Sequence, residues 1–105
     1  MGDLYLRERA SADAVDIALV GELTAGTASQ LRTALSPHRS VLSRVRLRDC
    51  TAIDIDGVFA LLVADIEAGE AGGQIQLTDV PPLIERYLYQ HHASHLLDPP
   101  PAPPT

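Results

Sequence analysis

Two short stretches hold the side chains that could do chemistry. In the first, Cys50 and Thr51 are followed by Asp54 and Asp56, bringing a thiol, a hydroxyl and two carboxylates close together in the chain. In the second, His91, His92 and His95 form an H-H-x-x-H cluster, and the outer pair could share a helix face as metal ligands. No H-E-x-x-H pattern and no cysteine ligand accompanies the histidines, and imidazoles are favourable at a helix C-terminus in their own right. The expectation is therefore no metal and no cofactor. Cys50 is the only cysteine, which excludes an internal disulfide. A nucleophilic role would need a base that the sequence does not indicate, so Cys50 reads as a buried core thiol at the end of a strand. No catalytic residue emerges, and the chain is expected not to be an enzyme.

Composition narrows the class. With 105 residues the chain has room for one domain, and 46% apolar residues suffice for a modest core. Net charge is −6, and every basic residue is arginine. An acidic chain without a basic cluster is a poor nucleic-acid binder. No apolar run approaches the ~20 residues of a membrane-spanning helix, and the N-terminus lacks the blocks of a secretory signal. The expectation is a cytoplasmic protein with no direct membrane insertion.

The elements that must position these residues follow from periodicity. Leu4–Arg7 alternates weakly, and Val15, Ile17 and Leu19 alternate clearly with Asp16 and Ala18, predicting two strands joined by a turn at Ser11–Asp13. Thr24 is placed to cap a first helix carrying Ala28, Leu31 and Leu35 on one face. Arg44–Arg48 alternates strictly, with Val45 and Leu47 inward and an arginine row outward, read as solvated positions on a half-covered sheet. A second helix follows Asp54 and Asp56, with Val58, Leu62 and Ile66 spaced to face the sheet. Ile75 and Leu77 mark a fourth strand. Asp79 is placed to cap a third helix, with Val80, Ile84, Tyr87, Leu88 and His91 on one face. The order β-β-α-β-α-β-α predicts an α/β fold: a small mixed sheet of about four strands with helices covering one face. The domain is expected over 1–97, and the proline-rich 98–105 as a flexible tail.

Two segments carry a family resemblance. Gly21-Glu22-Leu23-Thr24-Ala25-Gly26-Thr27-Ala28 resembles the "GELD…TA" turn of STAS domains, and Val45 through Gly57 resembles their "VLDLSGVTFIDSSG". Gly72-Gly73, the strand after it and Pro81…Leu88 resemble the family's "GG…L…SP…V…L". The bacterial anti-sigma factor antagonists of this family are phosphorylated on the first serine of "DSSG" by a switch kinase that doubles as anti-sigma factor. The unmodified form binds that kinase and the phosphorylated form lets go.

Ile55 occupies the phosphoacceptor position and has no hydroxyl; Asp56 occupies the second serine. Thr24 replaces the aspartate after "GEL", and Phe59 replaces a glycine one turn into the second helix. Asp56 reads as the N-cap of that helix, with a fixed charge imitating phosphate as the alternative. Asp54 either shapes the loop or is a plain turn residue, and Thr51 reads as a loop residue rather than a substitute phosphoacceptor. Phe59 is either core or a partner anchor; its rotation of ~100° from Val58 predicts partial exposure beside Ile55.

The resemblance implies a regulatory interaction module that binds through Thr24, Asp54, Ile55, Asp56, Gly57 and Phe59. The implied partner is an anti-sigma factor or switch kinase. The alternative is a constant subunit of a larger assembly: a stress-signalling complex, or an accessory subunit alongside another STAS or transporter subunit.

Overall fold

In the computed structural model, residues 2–97 are described; the predicted tail lies outside them. Strands β1 (Leu4–Ala10) and β2 (Ala14–Leu23) form an antiparallel hairpin. Helix α1 (Ala28–Leu35) and a 3-10 turn lead to β3 (Leu42–Ile53), helix α2 (Ile55–Glu70) to β4 (Gln74–Thr78), and helix α3 (Pro82–Gln90) follows. The sheet order is β1-β2-β3-β4, with β3 parallel to both neighbours. The predicted order and the four-stranded mixed sheet are both present.

The alternation read in the strands decides which face is covered. Val15, Ile17 and Leu19 of β2, Val45 and Leu47 of β3, and Ile75 and Leu77 of β4 are all buried among helix residues. Leu31 and Leu35 of α1 and Ile84 and Leu88 of α3 close over them, as their spacing predicts.

α2 corrects the sequence reading. Its buried side is Val58, Ala60, Leu61, Ala64 and Ala68, while Leu62 is only half-buried and Ile66 is 63% exposed. The helix is apolar nearly all round, so periodicity alone could not choose its inward face. The small alanines line the side turned toward α1.

Three helix or strand ends also differ. α1 begins one turn later than Thr24, after Thr27, whose hydroxyl accepts from the Thr24 amide at 2.9 Å and donates to the Glu22 carbonyl at 2.7 Å. α3 begins at Pro82 with Pro81 as its N-cap. A residue before proline avoids the helical region, so Pro81 is held extended, and Asp79 lies too far upstream to cap. Asp79 instead has φ 51° and pairs with Arg46 at 3.1 Å. β3 extends through Ile53, well past Arg48, by pairing with the end of β2 through two register shifts.

Candidate functional site

Only Asp54 separates β3 from α2, so the last strand residue and the first helix residue are fixed by one backbone link. Asp54 is extended (φ −117°, ψ −176°) and its carbonyl already accepts the first helical bond, from the Val58 amide at 3.0 Å. Its Oδ1 accepts from the Gly57 amide at 2.9 Å, which satisfies one of the helix's free N–H groups. The cap is therefore Asp54, and Asp56 is an exposed residue of the first turn. A carboxylate there still complements the positive end of the helix dipole.

The second carboxylate oxygen of Asp54 reaches another loop. Oδ2 accepts from the Ala25 amide at 3.1 Å, while the Asp54 amide donates to the Leu23 carbonyl at 3.2 Å. Gly57 packs directly against that same Leu23 carbonyl: a Cβ would stand 2.3 Å from its oxygen. Gly57 is thus buried beneath the site and serves it by letting α2 approach β2. Thr24 is half-buried in the same loop, and its amide ends on Thr27.

On this frame stand the exposed residues. Ile55 is 49% and Phe59 64% exposed. The predicted exposure of the ring is present, and the ring is not core. Steps of four, three and four residues carry the pattern on: Ile55, Phe59, Leu62 and Ile66 recur along the side of α2 turned away from its buried alanines. Beside them, Asp56 and Phe59 line a shallow depression of about 220 Å³ whose other wall is Ala25, Ala28 and Arg32. This corner stands at the surface, between the loop after β2 and the first turns of α2. It offers apolar contact area, a carboxylate rim and exposed loop backbone.

The other candidates are held elsewhere. Thr51 lies in β3 rather than in a loop, and its hydroxyl donates to the Gly21 carbonyl at 3.2 Å. Cys50 is buried, and burial pushes its thiol above the ordinary value of 9.0. α3 ends at Gln90, so His91 and His95 do not share a helix: the His91 ring lies on Tyr87 with centroids 4.3 Å apart, and His95 Nε2 is 3.5 Å from Asp65. Among the described residues, no three metal-ligating groups converge.

The sequence matches the family profile described as "Mlab, STAS domain" over residues 6–98. The chain belongs to the STAS domain family. Solved structures with the same fold include the unphosphorylated anti-sigma factor antagonist SpoIIAA, at 21% identity and TM-score 0.72, covering 90% of this chain and 85% of that one. The phosphorylated SpoIIAA of Bacillus has 21% identity and TM-score 0.66, with 90% and 88% covered. A sulfate transporter family protein from Wolinella succinogenes has 17% identity and TM-score 0.71, with 85% and 79% covered. No match is found among curated protein sequences.

The exposed row on α2 is legible in the sequence only in part. The sequence singles out Ile55 and Phe59, but its spacing turns Leu62 and Ile66 toward the sheet, whereas the structure leaves them partly or largely exposed. In a helix whose apolar residues exceed one face, the alanines mark the buried side, here Ala60, Ala64 and Ala68. Among the described residues, no helix is long and apolar enough to cross a membrane.

Proposed function

We propose that this STAS domain is a regulatory protein–protein interaction module of the anti-sigma factor antagonist kind, which acts by binding and not by catalysis. Its contact surface is the corner formed by Thr24, Asp54, Ile55, Asp56 and Phe59, with Gly57 setting the helix against the strand beneath it. The single observation that carries this reading is the exposed ring of Phe59 beside Ile55, rimmed by carboxylates. Apolar residues of this size, exposed together and edged by charge, are characteristic of interaction sites. The partner is an anti-sigma factor or switch kinase in the cytoplasm. Because Ile55 has no oxygen to accept phosphate, the association is not released by modification at this position.

A second reading is a constant subunit of a larger assembly, such as a stress-signalling complex or a transporter with an accessory STAS subunit. It is favoured by the likeness to the sulfate transporter family protein and by the "Mlab" description of the matching profile. Neighbouring genes separate the two: a kinase or sigma-factor gene supports the first, transporter genes the second.

The direct test titrates the protein against the kinase or anti-sigma factor encoded nearby. Phe59→Ala should weaken that complex by about 2 kcal/mol or more. Incubation with the kinase and ATP should leave residues 51–57 unphosphorylated by mass spectrometry. An unchanged affinity in Phe59→Ala would remove this corner from the interface, and stoichiometric phosphate on Thr51 would show a relocated switch.

A further inference from the structure

The face of the sheet opposite the helices is uncovered, and its charge is unlike that of the rest of the chain. Five of the eight arginines, Arg7, Arg9, Arg44, Arg46 and Arg48, stand on it, with four carboxylates, Asp16, Glu22, Asp49 and Asp79. The other three arginines share the remaining sequence with ten carboxylates. Two of the acids on this face are engaged: Asp16 lies 3.7 Å from Arg44, and Asp79 3.1 Å from Arg46. Arg7, Arg9 and Arg48 have no ion-pair partner among the described residues.

Register places these groups around a trough. Ala18 of β2 pairs with Arg7 on one side and Arg46 on the other, so its methyl group is the floor between two guanidinium-bearing walls. The walls stand about 10 Å apart, two strand spacings. In the β1 wall Arg7 and Arg9 are two residues apart, a repeat of roughly 6.7 Å, and in the β3 wall Arg46 and Arg48 flank Leu47 at a register shift. The depression they enclose has a volume of about 480 Å³ and is edged by Glu8, Asp16 and Asp49.

We propose that this trough is a second docking site, for an extended acidic segment of a protein partner that carries carboxylates at alternate residues. An extended peptide repeats its side chains at the same spacing as Arg7 and Arg9, so successive carboxylates meet successive guanidinium groups. Each exposed pair contributes little by itself, so the occupant must engage several at once. A short segment lies within a Debye length of the trough, about 8 Å at physiological salt. A long polyanion such as nucleic acid or an anionic bilayer would extend past it and meet the surrounding carboxylates. The site lies on the opposite side of the sheet from α2 and does not rest on the function proposed above.

The test uses the full chain and a fluorescein-labelled peptide with glutamate at every second position between valines. The peptide should bind at low ionic strength and shift the amide resonances of Arg7, Ala18 and Arg46. The Arg7→Ala/Arg46→Ala variant should bind roughly tenfold more weakly, while Arg39→Ala/Arg86→Ala, which removes the same charge elsewhere, should bind as the parent does. Arg7→Glu/Arg46→Glu should instead take the matching lysine peptide. The proposal is overturned by equal loss in both alanine pairs, or by shifts centred on Ile55–Phe59. It is also overturned if a peptide with the same glutamates in one block binds as tightly, or if inorganic tripolyphosphate binds more tightly than the alternating peptide.

Discussion

Asp54 and Ala25, 29 residues apart in the chain, are joined by a 3.1 Å hydrogen bond from the Ala25 amide to the aspartate Oδ2. The other oxygen of the same carboxylate caps α2 at Gly57. One side chain therefore sets both the start of the helix and the position of the loop after β2. Asp54→Ala should cost about 1 kcal/mol or somewhat more, since a cap and a cross-loop bond are lost together. Urea denaturation measures the loss, and faster hydrogen exchange at Ala25 and Gly57 would trace it to these two bonds. Unchanged exchange at Ala25 would show that the cross-loop bond contributes nothing.

Two glycines of α2 should respond with opposite sign to the same substitution. Gly57→Ala would drive a Cβ to 2.3 Å from the Leu23 carbonyl oxygen, and should destabilise the fold by ~1–3 kcal/mol as strand and helix separate. Gly69 meets nothing within 4 Å, so Gly69→Ala should stabilise by roughly 0.5–1 kcal/mol through helix propensity. Thermal melting of the two variants against the parent checks both.

Phe59 and Leu61 are two residues apart on one helix and face different surroundings, 64% and 0% exposed. Phe59→Ala should leave stability within about 0.5 kcal/mol of the parent. Leu61→Ala should cost ~2–5 kcal/mol by opening a core cavity. A large loss for Phe59→Ala would mean that the ring packs, and would end its role as an exposed anchor.

The Cys50 thiol is pushed above 9.0 by burial, with the Glu22 carboxylate adding to the effect. The unfolded thiol titrates near its ordinary value, so above pH 9.0 the unfolded chain releases its proton first. The contribution of this group is whole below that pH and declines as pH rises toward the folded value. Denaturation curves on either side of it should show the decline in the parent and a smaller one in Cys50→Ala. Equal slopes in both proteins would remove the thiol as the cause.

The parts of the fold that were legible in the sequence are those where one pattern has one meaning. Val15, Ile17 and Leu19 alternate with polar or small residues, and a strand with one covered face is the structure that satisfies them. Leu31 with Leu35 and Ile84 with Leu88 are equally plain. Legibility failed where two residues of the same kind competed. Asp54 and Asp56 could each cap α2, and only the extended backbone at Asp54 decides. Thr24 and Thr27 compete likewise at α1. At Asp79 the decisive constraint was steric, since Pro81 and Pro82 fix where α3 can begin. The inward face of α2 is hidden by excess, because large apolar residues stand on both sides of it, Val58 and Leu61 inside and Phe59 and Ile66 outside.

The sheet order has a bearing on how the chain comes together during synthesis. Strands lie side by side in the order in which they are translated, so each new strand meets an edge that the preceding segment has just supplied. The β1–β2 hairpin is the only local pairing and can form as soon as it leaves the ribosome, whereas β3 and β4 must each wait for a crossover helix. Growth therefore proceeds in one direction, with β3 filling the open edge of β2 and β4 closing the sheet last. No strand has to be inserted between two already joined, so a vectorially growing chain never has to undo a pairing to reach its final order.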